Sequence, residues 1–245
     1  MKPSSAQLPS DPCALAAALP DVPRWVETRA LLLSGAAVVR RSARADGAVV
    51  LDPALPFGCL VGCADAALLR DVLGGAEEDF ELVVQYEAVD DARVALPGWT
   101  VAPATIHVPA SPWQADCGAA PDVVVSAPPQ QRWLELVPEA EEVRRYAALA
   151  EAIALRLVDG QVAAVCAAGD VTESLWDVGI DTIDGHRRQG HATAAFRALA
   201  AHMAAAGRQP VWGAEDDNVA SMALAARLGF MPVDRLAILK APQRS

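Results

Sequence analysis

Four basic side chains and a glycine stand together directly before a stretch of helical periodicity. They are His186, Arg187, Arg188 and His191, around Gly190. The backbone dipole already makes a helix N-terminus positive, so each cation there is unfavourable by about 0.3–1 kcal/mol. An anion would remove this misfit, because free backbone N–H groups, guanidinium groups and a glycine together bind phosphate. On charge and glycine alone, two alternatives stay open: a phosphate site and a solvated basic turn.

The residues around this cluster predict the elements that must position it. Trp176–Ile183 alternates apolar side chains with aspartate and glycine, which predicts a strand with two unlike faces. The predicted helix has apolar residues at helical spacing and a terminal glycine, namely Ala192, Phe196, Leu199, Met203 and Gly207. Val211–Glu215 predicts a second strand, and Asn218 stands before a second predicted helix.

The order of residues in the cluster resembles one known phosphate-binding signature. No Gly-x-Gly-x-x-Gly or Gly-x-x-x-x-Gly-Lys-Ser/Thr pattern occurs. Arg187-x-x-Gly190-x-Ala192 resembles the Arg/Gln-x-x-Gly-x-Gly/Ala signature of the GNAT superfamily of acyl-CoA N-acyltransferases, whose loop holds the pyrophosphate of coenzyme A. The run Asn218-x-x-Ser221-x-x-Leu224-x-x-x-Leu228-Gly229-Phe230 resembles the family's next helix and its ending. Ile180-Asp181-Thr182, Trp212 and Ser221 are similar to the branch that includes zwittermicin-resistance acetyltransferases.

The resemblance implies an N-acetyltransferase that moves an acetyl group from acetyl-CoA to a small amine, by direct attack in a ternary complex. It implies that the pyrophosphate is held by a loop of six residues, Arg187, Arg188, Gln189, Gly190, His191 and Ala192. Backbone N–H groups near Ile180 and Thr182 are implied as oxyanion donors, since this strand of the family splays from its neighbour. Asn218 is predicted to cap its helix, to contact coenzyme A, or both.

The general base is left open among three carboxylates. Asp177, Asp181 and Glu215 lie on the two strands expected to flank the acyl group, and each is alternatively a surface charge. Many relatives place a tyrosine seven residues after the asparagine, where this chain has Ala225. The Ser221 hydroxyl or water is therefore expected to protonate the departing thiolate. Because this tyrosine is missing, a second interpretation stays open: a non-catalytic acyl-CoA-binding or interaction module.

Composition narrows the class of protein. The chain has 245 residues, is 53% hydrophobic and carries a net charge of −11. These values exclude disorder, argue against a nucleic-acid partner and favour a cationic acceptor. The longest apolar run, Ala30–Val39, is far shorter than the roughly 20 residues of a membrane span, so no membrane partner and a cytoplasmic location are expected. A homodimer is kept as an option.

The cysteines predict no metal site. Five are scattered along the chain, and only Cys59 and Cys63 are close together. Their spacing within an apolar run, without histidines to complete four ligands, favours small buried hydrophobic residues over zinc ligands.

The proline-rich stretch between Pro109 and Gln131 predicts a domain boundary. Residues 1–125 form an N-terminal α/β domain of uncertain fold after a flexible start, and residues 126–245 form the GNAT domain. The overall class is α/β (α+β), with a mixed sheet flanked by helices. In the first domain the patterns predict three helices, Val22–Leu33, Ala64–Val72 and Val89–Leu96, and four strands, Gly47–Leu51, Gly58–Gly62, Phe80–Tyr86 and Thr100–Val108. In the second they predict a strand at Trp133–Val137, a helix at Pro138–Glu151, a hairpin of Ile153–Val158 with Gln161–Ala168, and a last strand at Met231–Leu239.

Overall fold

The computed structural model describes residues 8–43, 47–115, 122–126, 144 and 150–243. The helices are α1 Pro12–Ala18, α2 Val26–Leu33, α3 Ala66–Leu73, α4 Val89–Ala95, α5 His191–Ala205 and α6 Val219–Arg227. The strands are β1 Val38–Arg41, β2 Gly47–Leu51, β3 Phe57–Gly62, β4 Glu81–Gln85, β5 Thr100–Pro109, β6 Val123–Ser126, β7 Ala152–Val158, β8 Gln161–Val171, β9 Leu175–Thr182, β10 Gln209–Glu215 and β11 Phe230–Lys240. The predicted mixed α/β class is confirmed.

Compactness divides the chain into two units. Unit 1 comprises Met1–Ile106, Ala214–Val219 and Pro232–Ser245, and unit 2 comprises His107–Gly213 and Ala220–Met231. The predicted domain boundary between residues 125 and 126 stays a prediction. The compact units have different bounds, because Pro232–Ser245 at the end of the chain belongs to the same unit as the N-terminal residues.

Unit 1 is built on strands in the order β1-β2-β3-β4-β11. β3 and β4 run parallel, whereas β1, β2 and β11 pair antiparallel with their neighbours. One face of β4, with Leu82 and Val84, is buried with α3 and α4 in an apolar core that includes Leu69 and Phe80. This core explains why the alternating pattern of β4 could be predicted from sequence.

The first residues correct one prediction. Pro12–Ala18 forms a helix rather than a flexible start. The Asp11 carboxylate caps it by accepting the Ala14 N–H at 2.8 Å, and Leu15 is fully buried. The predicted helix at Val22–Leu33 begins with a short 3-10 turn, and β1 was not predicted at all.

Unit 2 has strands in the order β10-β9-β8-β7-β6. The pairs from β6 to β9 are antiparallel, as predicted for the hairpin of β7 and β8, and β9 and β10 run parallel. Helix α5 packs against β7, β8 and β9. Its fully buried Phe196 contacts four aromatic rings with centroids 5.0–6.2 Å away, those of Trp113, Trp176, Trp212 and Phe230. Such ring pairs add about 0.5–1.5 kcal/mol each beyond their buried area, and here they fix α5 relative to β9 and β10.

Three further predictions concern a strand, a helix and the cysteines. The strand predicted at Trp133–Val137 lies outside the described residues, and of the helix predicted at Pro138–Glu151 only Arg144 is described as helical. Cys59 is buried as predicted, but Cys63 is exposed, because the chain turns out of β3 at this point. Within the described part of the chain, no helix is both long and apolar enough to cross a membrane.

Candidate functional site

Strand β9 separates from β10 partway along its length. Its pairing with β10 covers three positions and ends at Asp177 opposite Val211. Its pairing with β8 continues to Thr182, opposite Ala164. The last five residues of β9 are therefore paired on one side only, which is the separation that the family resemblance implies.

Hydrogen bonds at both ends of β9 show which amides face the gap. The Ile183 N–H donates to Ala163 O at 3.0 Å, and the Gln209 N–H donates to Ser174 O at 2.8 Å. Since backbone amides alternate in direction along a strand, these bonds orient the Ile180 and Thr182 N–H groups away from β8. The Ile180 N–H has the direction that the predicted oxyanion donor needs, and it lies beyond the last β9–β10 pair. The Thr182 N–H already donates to its neighbour Asp181, at 2.7 Å from Oδ1.

The Asp177 side chain lies where the two strands part. Its carboxylate accepts hydrogen bonds from the backbone N–H groups of Gly213 and Val178. Gly213 lies beyond the last β9–β10 pair, so its N–H bonds the Asp177 side chain instead of the β9 backbone. A Cβ atom on Gly213 would lie 3.8 Å from Asp177 Oδ1, so the carboxylate is close to β10. Burial raises the pKa of Asp177 to about 6, against the opposing effect of the two N–H donors. A carboxylate with this pKa is largely ionised near neutrality and is basic enough to accept a proton from an amine.

The other two candidate bases have different surroundings. Asp181 is exposed and bonds the Thr182 amide. Glu215 belongs to unit 1, where it accepts a hydrogen bond from Lys240 Nζ at 2.6 Å, and this bond is the main reason that the pKa of Lys240 is raised. The environment of Asp177 favours proton uptake near neutral pH, which makes it the candidate base that we pursue.

The glycine-containing loop ends at the uncapped N-terminus of α5. Gly190 precedes the helix in a left-handed conformation, with φ of 85°, and no side chain caps the helix or places an acid in its first turn. The first intrahelical bond runs from the Ala194 N–H to Gly190 O, at 3.1 Å. The N–H groups before Ala194 therefore lack acceptors within the helix, and this arrangement suits a bound phosphoryl group.

The loop side chains contribute in different ways. Arg187, Arg188 and Gln189 are exposed, as an incoming anion requires. Arg187 forms an exposed ion pair with Asp184 at 3.2 Å. Gln189 donates through Nε2 to Gly185 O at 3.0 Å, so its side chain braces the loop itself.

Two histidines and one arginine complete the surroundings of the loop. The His186 and His191 rings lie 5.8 Å apart. Burial, then the charges of Arg156 and His186, lower the pKa of His191. Sequence reasoning missed Arg156, because it lies on β7, more than 30 residues before the loop, and has no motif around it.

The second predicted motif, which runs from Asn218 to Phe230, contains two polar candidate residues, Asn218 and Ser221. Ser221 Oγ accepts the indole N–H of the fully buried Trp212 at 2.9 Å. Asn218 directly precedes α6, as expected of a cap, and belongs to unit 1. Ala225 is fully buried in α6. His107 is buried, with its Nδ1 3.3 Å from Trp212 O.

Comparison with known proteins agrees with this geometry. Residues 130–239 match the family model described as GNAT acetyltransferase. A protein of the GNAT family from Novosphingobium aromaticivorans has a similar structure, with a TM-score of 0.65 and 23% identity over 92% of this chain and 98% of that chain. A GCN5-related N-acetyltransferase-like protein from Streptococcus suis gives a TM-score of 0.66 and 17% identity, over 93% of this chain and 96% of that one. None of the curated proteins compared matches the sequence.

The fold and the separated strands thus agree with what the two motifs predict. Residues 130–239, slightly less than half of the chain, match the GNAT acetyltransferase family model. The GNAT fold extends beyond that region, since the structural likeness covers more than nine tenths of the chain. These findings support acyl-CoA-dependent acyl transfer as the general activity. No comparison tests the predicted zwittermicin-resistance branch.

Proposed function

We propose that the protein transfers an acetyl group from acetyl-CoA to the amine of a small, cationic acceptor by direct attack in a ternary complex. One observation carries the proposal: β9 parts from β10 at Asp177, so a carboxylate of raised pKa and the outward Ile180 N–H border the same gap. The uncapped N-terminus of α5 and its basic loop support the choice of coenzyme A, because they suit a pyrophosphate.

Each predicted residue has a defined task in this reaction. The Ile180 N–H stabilises the negative charge that develops on the thioester carbonyl oxygen. Asp177 accepts the proton that the amine loses as its nitrogen bonds the carbonyl carbon and the carbon–sulfur bond breaks. The Ser221 hydroxyl or water returns a proton to the thiolate, whose ordinary pKa of about 8.5 makes it a tolerable leaving group. The loop from Arg187 to Ala192 holds the donor in place for this attack.

The acceptor is the least constrained part of the proposal. The net charge of −11 favours a cationic molecule, and Asp177 suits an acceptor that arrives as an ammonium and must lose a proton before attack. We infer a small amine rather than a nucleic acid, because the net charge of the chain is −11 and the strand beside the gap carries Asp177 and Asp181.

Release of free thiol from acetyl-CoA tests this function directly. The wild-type protein is assayed against a panel of diamines, amino-acid amides and acidic amines, with product masses measured in parallel. We expect release to depend on a cationic amine and each product to gain one acetyl group. Release confined to acidic amines would contradict the cationic acceptor, and O-acetylated products would contradict N-transfer.

One observation favours a second candidate function. The position at which many relatives have a tyrosine is the buried Ala225, which cannot act as an acid. A non-catalytic acyl-CoA-binding module would bind coenzyme A by calorimetry and release no thiol with any amine of the panel. The two candidates are therefore separated by turnover rather than by binding.

A further inference from the structure

The peptide group of β10 that joins Trp212 to Gly213 is bonded by side chains on two sides. Its N–H group, which belongs to Gly213, donates to the carboxylate of Asp177 on β9. Its carbonyl oxygen, which belongs to Trp212, lies 3.3 Å from Nδ1 of His107 on β5. The C=O and N–H of a trans peptide group point in opposite directions, so His107 and Asp177 contact this group from opposite sides. All four residues belong to unit 2.

This contact defines which nitrogen of the His107 ring carries a proton. A carbonyl oxygen accepts hydrogen bonds and cannot donate one, so Nδ1 must be the protonated nitrogen. The His107 side chain is buried, and a bond of this kind sets both the tautomer and the orientation of an imidazole. His107 is therefore a fixed N–H donor to the Trp212 carbonyl.

The Trp212 side chain is held in place independently of this bond. Its indole N–H donates to Ser221 Oγ at 2.9 Å, and its ring is fully buried with the Phe196 and Phe230 ring centroids 5.6 and 5.3 Å away. These contacts position the residue, but they leave its peptide group able to rotate. The β9–β10 pairing has already ended here, so the β9 backbone does not orient the group. The His107 bond supplies part of the missing restraint.

We propose that His107 is a positioning residue for Asp177: its Nδ1–H group orients the Trp212–Gly213 peptide group so that the Gly213 N–H points at the carboxylate. Hydrogen bonds arranged in a chain polarise one another, so the bond from His107 also strengthens the donation to Asp177. The inference rests on the proposed function, in which Asp177 accepts the proton of the amine. It adds a residue of β5 that acts through a peptide group rather than on the substrates.

Loss of the His107 donor should change the pKa of Asp177 in a defined direction. Its value of about 6 reflects burial, which raises the pKa, and the N–H groups of Gly213 and Val178, which lower it. A weaker Gly213 bond should therefore raise the pKa of Asp177, by roughly 0.3–1 unit. The acidic limb of the rate profile should move to higher pH by the same amount. At pH 8 the carboxylate stays ionised, so turnover there should remain within about threefold of wild type.

Two substitutions of His107 separate its donor from its ring. His107→Leu removes the donor and leaves an apolar side chain, whereas His107→Asn keeps an N–H donor near the position of Nδ1. The acidic limb of kcat/KM for the acceptor is measured in both, with His202→Leu as the control for an exposed imidazole. We expect the limb near pH 6 in wild type, His107→Asn and His202→Leu, and at higher pH in His107→Leu. A limb that is unmoved in His107→Leu, or that moves equally in both His107 variants, overturns the proposal.

Other titratable side chains near Asp177 are the same in both variants. The Cys166 thiol of β8 interacts with the Asp177 charge, and burial raises the pKa of this thiol. Asp170 belongs to the irregular stretch of β8 opposite Asp177, and Asp181 lies on the same face of β9. Glu215 follows on β10 but belongs to unit 1. Because none of these groups differs between His107→Leu and His107→Asn, the comparison isolates the donor.

The Gly213 amide proton reports the pKa of Asp177 without any turnover. In protein labelled with ¹⁵N-glycine, its resonance should shift as Asp177 titrates, and Gly213→Ala identifies it by its loss. We expect a midpoint near pH 6 in wild type and a higher one in His107→Leu. Wild-type protein that shows this titration but releases no thiol would refute the proposed function and leave the role of His107 intact. An unmoved midpoint in a protein that does turn over would refute only this inference.

The tautomer of His107 decides the question if His107→Leu does not fold. Long-range ¹⁵N–¹H spectra of the wild-type protein distinguish a ring protonated at Nδ1 from one protonated at Nε2. The chain has four histidines, and His186→Gln, His191→Gln and His202→Leu assign the other three signals. We expect the Nδ1–H form for His107 at pH 7.5. The Nε2–H form would overturn the proposal, because its Nδ1 could not donate to the Trp212 carbonyl.

Discussion

The carboxylate of Asp177 accepts the backbone N–H of Gly213 at the position where β9 and β10 cease to pair. In a continued parallel ladder this amide would bond a carbonyl of β9. The side chain of Asp177 takes that place, so the same residue marks the separation of the strands and supplies a base beside it. Burial of this carboxylate is unfavourable, and such a cost is common at catalytic positions.

Asp177→Asn should lower turnover about 10²–10⁴-fold, the usual effect of losing a general base. The amide keeps an acceptor for Gly213 but cannot take a proton, so coenzyme A affinity should change little. The wild-type rate, measured as kcat/KM for the acceptor, should fall as the pH drops through about 6, because Asp177 becomes protonated.

Glu215→Gln and Asp181→Asn are the matched controls for that prediction. Glu215 is paired with Lys240 and Asp181 is exposed, so each variant should keep turnover within about tenfold. A larger loss in either variant than in Asp177→Asn would assign the base elsewhere.

Asp177→Asn should also make the protein more stable at neutral pH. Asp177 has a folded pKa of about 6 against an ordinary value of 3.8, so its ionised form is disfavoured by folding. The gain of Asp177→Asn should be on the order of 1–3 kcal/mol above pH 6 and should disappear as the pH falls toward 4. Urea unfolding of both proteins at pH 4, 5, 6 and 7.5 measures it, with Asp181→Asn as the control for loss of an exposed carboxylate on the same strand. A variant less stable than wild type at pH 7.5 would contradict the burial of the charge.

Sequence reasoning reached the site through local patterns and missed what the fold alone brings together. The helix from His191, its glycine boundary at Gly190 and the strand around Ile180 all follow from residues close in the chain. Arg156 could not be found in this way, because pairing of β7 with β8 and packing of α5 bring it to His191. The choice of Asp177 among three carboxylates likewise depends on burial and on the Gly213 amide, neither of which a single strand pattern encodes.

The N-terminal half shows the same limit. Helix α1 escaped prediction because its stability comes from burial of Leu15 and from Arg29, which donates to the carbonyls of Ala16 and Leu19. Seven mostly alanine residues carry little periodic signal. By contrast, α3 was predicted to within two residues at each end, because Gly74 and Gly75 mark where the helix stops.

Gly190→Val should weaken coenzyme A binding by at least tenfold. The residue has a φ of +85°, which side chains rarely adopt, and a branched side chain would stand where the backbone must approach the pyrophosphate. Gly98→Val is the matched control, since Gly98 has a φ of +90° and equally open surroundings but belongs to unit 1. Both variants should lose about 1–2 kcal/mol of stability from backbone strain, and only the first should lose affinity. Equal affinities by calorimetry would remove the loop from the binding site.

Tyr86→Phe should keep turnover within a few-fold of wild type. Tyr86 is 45% exposed in unit 1, where its ring lies under the Arg235 guanidinium at 4.3 Å, and Phe keeps this contact. Tyr146, the second tyrosine of the chain, lies outside the described residues, and Tyr146→Phe is predicted to behave in the same way. A hundredfold loss of turnover in either variant, with coenzyme A affinity intact, would show that a tyrosine protonates the thiolate.

Affinity for the coenzyme should rise as the pH falls, and His191 should be the reason. Its pKa lies below the ordinary 6.5 in the free protein, and a bound anion favours the protonated ring, so binding takes up a proton as the solution is acidified. The charged groups and the second imidazole around it are Arg156, Asp122, Asp184, Arg187 and His186. Dephosphorylated coenzyme A is the suitable ligand, because its pyrophosphate stays ionised in this range, and Asp177→Asn removes the other carboxyl that titrates.

In that background the affinity should rise roughly fivefold from pH 8 to pH 6, the worth of a cation placed next to a phosphoryl group. Adding His191→Gln should flatten the slope. Because His191 does not reach the thioester in this assignment, the pH dependence should be visible in binding and absent from the rate at saturating donor. A slope that survives His191→Gln would mean that the proton is taken up elsewhere in the protein.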